Sequence, residues 1–352
     1  MSLFDSKEYW ENDPRKAFGA FVASEEFVKL GRRRRSSVAD ATDERPLRAS
    51  SQRIYQAMFN HYANWLDDKG VKFSDVTNEH ITAFLDQPAD AVEGEGQTVR
   101  LASKIRLVYV RILERIFAHL KIEPNPAAMV ILNKNKNFKL GKEEEKSFLS
   151  AGEIVSFMDN LPLVRAFDKD RDIDPTWKKR RNRAMLAMLI GAGLKVSEVI
   201  AIEAASIGPV NSDGSMPLNL KSWESAGTSR SHRAMLRPFA VQEVLAWKKE
   251  LDQLKIPGKL MYPANLVPKK RKNNRPVNQL DHATVYRIVK EVFVAAGIDV
   301  ARMGGRTLRN TFAIHELETQ PAELVNEFLG HRQPRSTERY MPYTSKLRKR
   351  AK

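Results

Sequence analysis

The sequence of 352 residues contains no cysteine. Disulfide bonds, thiolate metal sites and a cysteine nucleophile are therefore excluded. It also lacks any run of about 20 apolar residues, the length that a membrane-spanning helix needs. Its first residues carry acidic side chains instead of the apolar stretch of a secretory signal. These absences predict a protein of the cytoplasm that has no membrane partner.

The sequence has fewer acidic than basic residues. The chain has 59 lysine and arginine residues against 43 aspartate and glutamate residues, which gives a formal net charge of +16. This excess favours a polyanionic partner, because each cation that meets a phosphate releases condensed counterions. A basic protein without such a partner is the alternative on charge alone. The sequence shows no phosphate-binding glycine loop and no clustered metal ligands, so neither a nucleotide cofactor nor a metal is expected.

Residues 1–46 are polar, and they predict a basic and mobile N-terminal arm. A run of four arginines lies within this range: Arg32, Arg33, Arg34 and Arg35. Such a run is typical of an arm that lies on DNA, and a solvated tail is the alternative.

Apolar residues at helical spacing predict a small helical domain over residues 47–132. Three stripes mark three helices: Tyr55, Met58, Phe59, Tyr62, Trp65 and Leu66; Ile81, Phe84 and Leu85; Ile105, Val108, Tyr109, Ile112, Ile116, Phe117 and Leu120. We interpret their aromatic residues as core. Basic residues lie mostly off the third stripe and predict a DNA-facing surface: Lys104, Arg106 and Arg111.

A second domain is predicted over residues 148–345. It follows a charged segment without periodicity, residues 133–147, which predicts a linker. Ser150 and Glu153 have the spacing of a capping box, which predicts the start of the first helix of this domain. Residues 346–352 form a short basic tail.

The second domain is predicted to be mostly helical with one hairpin. A helix rich in alanine, leucine and methionine over residues 179–192 ends at Gly193. Strand-like runs near residues 216–220 and 234–239 predict the hairpin, and four further helical segments follow it. Another basic run is interpreted as a loop that touches the DNA backbone, with a nuclear-import signal as the alternative: Lys269, Lys270, Arg271 and Lys272.

Four pieces of the second domain carry candidate chemistry when they are taken together. In chain order they are Gly191-Ala192-Gly193-Leu194-Lys195-Val196-Ser197-Glu198, Lys221 in the hairpin, Arg306-Thr307-Leu308-Arg309-Asn310, and Leu329-Gly330-His331 with Thr337-Glu338-Arg339-Tyr340. This order and spacing resembles the catalytic domain of the tyrosine recombinase (phage integrase) family. In that family the tyrosine nucleophile lies nine positions after the histidine, as Tyr340 lies nine positions after His331. The resemblance covers about residues 47–345.

The resemblance implies a role for each matching residue. Tyr340 is the nucleophile that attacks a DNA phosphate, and Arg309 and His331 donate to the phosphate oxygens. Lys221 is the general acid, and Glu198 is a supporting carboxylate that orients the cationic groups. A guanidinium suits this task because its fork meets two oxygens at once. The implied product is a 3′-phosphotyrosyl link with a 5′ hydroxyl, formed without a cofactor.

The resemblance also implies the architecture and the assembly. The fold is expected to be mainly α, with an N-terminal helical core-binding domain (SAM-like) and an α-rich catalytic domain that carries a small antiparallel sheet. The two domains are expected to form a clamp around double-stranded DNA. A dimer on each site and a homotetramer on two paired sites are implied, with a nucleoid-associated location. The short tail after Tyr340 puts the exchange contact between protomers in question.

Three positions depart from the family pattern. Lys195 stands where the family has arginine, and a lysine keeps the charge but loses the bidentate fork. Arg306 stands where the family most often has histidine, so it can donate to phosphate but cannot accept a proton. Asn310 replaces a common histidine. For the nucleophile, Tyr343 is the alternative to Tyr340.

The departures leave three functions open. The first is an active recombinase in which both Lys195 and Arg306 belong to the catalytic set. The second is a recombinase-like protein that binds a DNA sequence without cutting it. The third is a type IB topoisomerase, which uses the same chemistry without pairing two sites. A structural role for Lys221 also stays open.

Overall fold

The computed structural model describes residues 6–32, 47, 49–87, 103–132, 147–163, 176–223, 229–267, 269–270 and 276–350. The chain divides into two compact units, an N-terminal unit of residues 1–144 and a C-terminal unit of residues 145–352. The described residues are mainly helical, with small antiparallel two-stranded sheets in the C-terminal unit, so the predicted fold class is confirmed. No described helix is long and apolar enough to cross a membrane.

The N-terminal unit contains seven helices in its described part. They are α1 (Lys7–Asn12), α2 (Pro14–Ala23), α3 (Glu25–Arg32), α4 (Ala49–Lys69), α5 (Asn78–Leu85), α6 (Ser103–His119) and α7 (Pro126–Leu132), with a 3-10 turn at Phe73–Asp75. Helices α4, α5 and α6 correspond to the three predicted stripes. Gly70, at a φ of 64°, follows α4 at the predicted end of that helix.

The prediction of a mobile arm over residues 1–46 is wrong for residues 7–32, which form α1, α2 and α3. The side chains of Ser6 and Asp13 cap the first two helices. These helices bury apolar residues in the core of the unit: Trp10, Phe18, Phe21, Val22 and Phe27. Their burial outweighs the polar composition of the segment. Residues 33–46 lie outside the described residues.

The core of the N-terminal unit consists largely of aromatic rings. Trp10 contacts the rings of Phe21, Phe59 and Phe73, and Phe18 stacks on Phe59 with ring centroids 4.4 Å apart. Most of the predicted core residues of α4, α5 and α6 join this core. Of the aromatic residues that we interpreted as core, Tyr55 and Trp65 are only partly buried and pack against it. Ile105, an apolar residue of the third stripe, is 45% exposed.

The C-terminal unit is built around one buried helix. Its described elements are α8 (Ala151–Asp159), α9 (Trp177–Ala192), α10 (Val196–Val199), β1 (Met216–Trp223), β2 (Ser229–Leu236), α11 (Pro238–Leu254), β3 (Lys269–Lys270), β4 (Pro276–Val277), α12 (His282–Ala295), α13 (Gly305–Thr319), α14 (Ala322–Phe328), α15 (Arg335–Glu338) and α16 (Met341–Arg350). Residues from Ala184 to Ala192 of α9 are all buried, so this helix is covered on every side. The predicted capping box of Ser150 and Glu153 begins α8.

The hairpin differs from its predicted bounds. Strand β2 pairs antiparallel with β1 and already ends at Leu236, with Met216 opposite Leu236 and Lys221 opposite Ser231. The apolar residues beyond it belong to α11, because Pro238 occupies the first turn of that helix, where its missing N–H costs nothing. Similarly, residues 341–350 form α16, so the predicted basic tail is helical as far as Arg350.

Candidate active site

Lys195 and Glu198 lie just beyond the end of α9. Gly193 closes that helix at a φ of 60°, and Glu198 lies in the short helix α10. The Glu198 carboxylate accepts from the Lys195 ammonium (2.8 Å) and from the Lys195 backbone N–H (2.7 Å). Glu198 is nearly buried, whereas the Lys195 side chain is 47% exposed. The lysine therefore presents a partly exposed cation on a fixed carboxylate.

Arg309 projects from α13 into the same cluster and is buried. Its Nη1 donates to the Gly193 carbonyl (2.8 Å) and its Nη2 to the Leu329 carbonyl (2.6 Å). The Glu198 carboxylate lies 3.6 Å from Nη1. Burial lowers the pKa of Arg309, and the charges of Glu198 and Tyr340 oppose that effect. The guanidinium is thus held in one orientation by two carbonyls from different segments.

His331 lies between α14 and α15, and both of its ring nitrogens have partners. Nε2 lies 3.2 Å from Nη2 of Arg309, and Nδ1 lies 2.9 Å from the Thr337 hydroxyl. Burial, followed by the charges of Arg309 and Lys195, lowers the pKa of His331 to about 4. The imidazole is therefore neutral at pH 7.

Tyr340 is buried beside this cluster. Its ring is nearly parallel to that of His331, with centroids 6.4 Å apart and an angle of 7° between the planes. Tyr343 instead makes an edge contact with Phe148, with ring centroids 6.0 Å apart. The structure therefore brings Tyr340, His331, Arg309, Lys195 and Glu198 together.

Among the described side chains, this cluster does not include those of the other predicted positions. Arg306 is exposed in the first turn of α13. Lys221 lies in β1, and its side chain is outside the described residues. Asn310 is buried and donates to the Ser147 carbonyl (3.0 Å), which ties α13 to the start of the unit. His232, beside Lys221 in the sheet register, packs against Gly330.

The predicted DNA-binding residues fall into three groups. Arg106 is paired with Asp86 at 2.5 Å, and Arg111 is exposed on α6. The backbones of Arg32, Lys104, Lys269 and Lys270 lie in described elements, but their side chains do not belong to the described residues. Arg33, Arg34, Arg35, Arg271 and Lys272 lie outside the described residues altogether.

Two contacts to the site were not predicted from the sequence. The buried hydroxyl of Thr337 lies against His331 and donates to Oδ1 of Asn326 (2.8 Å). The Asn326 amide in turn donates to the His331 carbonyl (3.1 Å). Thr337 belongs to the sequence pattern that ends in Tyr340, whereas no feature of the sequence marked Asn326. Within the described ranges no three histidine, aspartate or glutamate residues are grouped as metal ligands.

The chain is similar to known proteins over most of its length. It is 23% identical over 315 residues to the tyrosine recombinase XerD of Corynebacterium glutamicum, covering 86% of this chain and 90% of that protein. XerD of Proteus mirabilis is 22% identical over 300 residues, covering 84% of each. These relatives match both units, including the segment before the catalytic pattern.

Solved structures show the same fold. The XerH site-specific recombinase in a post-cleavage complex with palindromic difH substrate aligns with a TM-score of 0.61 at 16% identity, over 96% of both chains. A lambda integrase dimer bound to a COC′ core site aligns with a TM-score of 0.54 at 15% identity, over 90% of this chain and 75% of that one. The sequence model of the phage integrase family matches residues 163–346, which is more than half of the chain and contains the whole cluster. The chain therefore belongs to the phage integrase family.

Proposed function

We propose that this chain is a site-specific DNA recombinase that cuts and exchanges strands through a 3′-phosphotyrosyl intermediate on Tyr340. The observation that carries the proposal is the placement of Tyr340 beside His331 and Arg309, with Lys195 held on Glu198 in the same cluster. A protein that only binds DNA has no need of a buried tyrosine next to a fixed arginine.

The cluster matches the demands of phosphoryl transfer. Negative charge grows on the nonbridging oxygens in the transition state, and fixed cations stabilise it without reorganising. Arg309 is fixed by two backbone carbonyls, and Lys195 is the second cation. Lys221 is proposed as the general acid that protonates the leaving 5′ oxygen, and Arg306 as a further phosphate donor at the edge of the site.

The proposed partner is double-stranded DNA, bound by a dimer on each site and a homotetramer on two paired sites. The lambda integrase structures support this assembly, since one is a dimer bound to a core site and another is a tetramer bound to a Holliday junction. The net charge of +16 supports a polyanionic partner. A nucleoid-associated location in the cytoplasm belongs to the same proposal.

One observation favours a second candidate, a DNA-binding protein that does not cut. Lys195 cannot form the two parallel hydrogen bonds of an arginine, and its ammonium is engaged by Glu198. Removing one well-placed donor of an oxyanion costs on the order of 100-fold in rate. A protein with this substitution therefore keeps DNA binding while its cleavage is slow or lost.

A trapped covalent complex distinguishes the two candidates. Duplexes that the protein prefers are first selected from a randomised pool, and the selected site is then nicked next to the scissile phosphate. Loss of the short 5′-hydroxyl fragment traps any phosphotyrosyl product, which migrates as a protein–DNA adduct in a denaturing gel. We expect an adduct with the wild-type protein and with Tyr343→Phe, and none with Tyr340→Phe.

Controls at Lys195 and Tyr340 complete the test. All variants must still shift the selected duplex in a native gel, because each substitution removes at most one of many phosphate contacts. Lys195→Ala should lower adduct formation about 100-fold or more. An adduct that survives Tyr340→Phe would refute the nucleophile, and a wild-type protein that binds the site but gives no adduct supports the second candidate.

A further inference from the structure

The hydrogen bonds around His331 fix which of its ring nitrogens carries the proton. The His331 carbonyl can only accept, so the amide nitrogen of Asn326 faces it, at 3.1 Å, and Oδ1 of Asn326 faces Thr337. The single hydroxyl proton of Thr337 is therefore donated to Oδ1, over 2.8 Å. Only an acceptor lone pair of Thr337 remains for His331, so Nδ1 of the ring must be the protonated nitrogen.

The contact at the opposite edge of the imidazole ring, between Nε2 and Arg309, supports the same assignment. Nη2 of Arg309 can only donate, and it lies 3.2 Å from Nε2 of His331. Nε2 is therefore unprotonated, and the imidazole is neutral. The charged and titratable groups that face the ring are Arg309 from α13, Lys195 and Glu198 from the α10 segment, His232 from β2 and Tyr340. Three of these are basic, which disfavours the doubly protonated ring in the protein without DNA. A bound phosphate would offset part of this positive charge.

We propose that Asn326 is a positioning residue that acts through Thr337 to hold His331 in the Nδ1–H form, so that Nε2 enters the reaction as a proton acceptor. This proposal rests on the proposed function for its catalytic meaning. It differs from the role that the resemblance implied, in which His331 donates to phosphate from the start. No sequence pattern marked Asn326.

The proton source in this proposal is the nucleophile Tyr340, whose ring lies nearly parallel to that of His331. The Tyr340 hydroxyl must lose its proton to attack phosphorus, and Arg306 cannot accept it. When the phosphate binds, the Nη2 donor of Arg309 turns from Nε2 to a phosphate oxygen and frees the Nε2 lone pair. The Tyr340 O–H bond then breaks, an Nε2–H bond forms on His331, and the phenolate oxygen bonds to phosphorus. The bond from phosphorus to the 5′ oxygen breaks, and that oxygen takes a proton from the general acid proposed at Lys221. The new Nε2–H then donates to a phosphate oxygen that has become more negative.

Nuclear magnetic resonance of protein labelled with ¹⁵N in its histidines tests the tautomer without DNA. The chemical shifts of the two ring nitrogens show which one is protonated, and His331→Gln identifies the signals. We expect the Nδ1–H form in the wild-type protein at pH 7, still neutral at pH 5.5. In Asn326→Ala the Thr337 hydroxyl is released, and only the longer contact with Arg309 (3.2 Å) still favours the Nδ1–H form. The shifts should therefore move part of the way toward those of an imidazole exchanging between both forms. Glu323→Ala, an exposed change on the same helix, should leave them unchanged.

Thr337 supplies a second pair of variants, in case Asn326→Ala does not fold. Thr337→Val removes the acceptor for Nδ1–H and should alter the tautomer, whereas Thr337→Ser keeps the hydroxyl and should restore it. In single-turnover cleavage of the selected site, Asn326→Ala and Thr337→Val should each lose about 10- to 100-fold, as other residues that orient a histidine do. Thr337→Ser should stay within a few-fold of wild type.

The direction of the pH dependence is an independent readout. If Nε2 is an acceptor, wild-type cleavage falls as the pH drops through the pKa of His331 in the complex; if it is a donor, cleavage rises there. A rise, an Nε2–H form in the wild-type protein, or variants that lose cleavage while keeping the Nδ1–H form would each overturn the proposal. A tautomer that changes as expected in a protein without any cleavage would keep the positioning role of Asn326 and refute the proposed function instead.

Discussion

The two units bury different kinds of residue. The N-terminal unit fills its core with rings, among them Trp10, Phe18 and Phe59. Ten polar or charged residues are buried in the described part of the chain, and all ten belong to the C-terminal unit: Arg181, Ser215, Glu250, Asn278, Thr307, Arg309, Asn310, Thr311, Glu316 and Thr337. Several of these contact the candidate active site or brace the helices that form it.

The difference follows from what each unit has to hold. A site that stabilises a phosphate transition state needs cations withdrawn from water, and each buried cation then needs its own counterion or carbonyl partners. The same unit also buries a second ion pair, Arg180 with Glu250, whose side chains are only 11% and 8% exposed. In the N-terminal unit Arg15 and Asp67 form a comparable pair, but their side chains are 37% and 63% exposed. The ion pair of the C-terminal unit is thus buried, whereas that of the N-terminal unit is exposed.

The largest expected effect concerns these two ion pairs. Glu250→Gln removes the carboxylate that neutralises the nearly buried Arg180 guanidinium, and it should lower the free energy of unfolding by about 3 kcal/mol. Asp67→Asn, the matched change at the exposed pair, should cost less than about 1 kcal/mol. Hydrogen exchange resolved by peptide, in urea, reports each unit separately. Equal losses in the two variants would break the comparison.

Substitutions at two buried tyrosines should change stability by a smaller amount, and in opposite directions in the two units. The Tyr62 hydroxyl finds no hydrogen-bond partner among the described residues, whereas the Tyr262 hydroxyl donates to the Ala184 carbonyl (3.3 Å). Tyr62→Phe removes an unsatisfied group and should stabilise the N-terminal unit by about 1 kcal/mol, while Tyr262→Phe should destabilise the C-terminal unit by about as much. Urea unfolding followed by the same exchange measurement checks both. A loss of stability in Tyr62→Phe would contradict the assignment.

The smallest expected effect is a gain at Arg181. This buried guanidinium donates to Oδ1 of Asn182 and to the carbonyls of Pro263 and Ala264, and burial lowers its pKa to about 10. Asn182→Asp adds a charge where a neutral amide now accepts, and should stabilise the C-terminal unit by about 0.5–1 kcal/mol. Asn182→Ala should destabilise it. Thermal unfolding of both variants gives the sign, and a destabilised Asn182→Asp would show that the carbonyls already satisfy Arg181.

Helices with a regular apolar stripe could be predicted from the sequence, and helices hidden in polar segments could not. Helices α4 to α6 followed from their spacing, and the end of α9 followed from Gly193. Helices α1 to α3 were missed because the arginine run dominated the composition of residues 1–46. These three helices are too short to show a regular apolar stripe, although Trp10 and Phe18 are apolar residues of the segment.

The candidate site likewise contains residues that the sequence predicted and residues that it did not. The spacing pattern predicted the residue types and indicated that His331 and Tyr340 lie in the same segment, but it gave no distance between them. The contact of Glu198 with Arg309 joins residues far apart in the chain, so only the folded unit brings them together. Asn326 could not be found, because an asparagine on a helix carries no signal for the hydroxyl that it meets across a turn.

The end of α9 links packing to chemistry through one small residue. A methyl group on Gly193 would come within 2.5 Å of the Phe312 ring on α13, and the carbonyl of the same residue accepts from Arg309 one turn earlier on that helix. Any side chain at this position would push α13 away and move the guanidinium with it. The orientation of Arg309 is therefore set by how closely two helices approach, and natural variation at this glycine is expected to alter cleavage before it alters DNA binding.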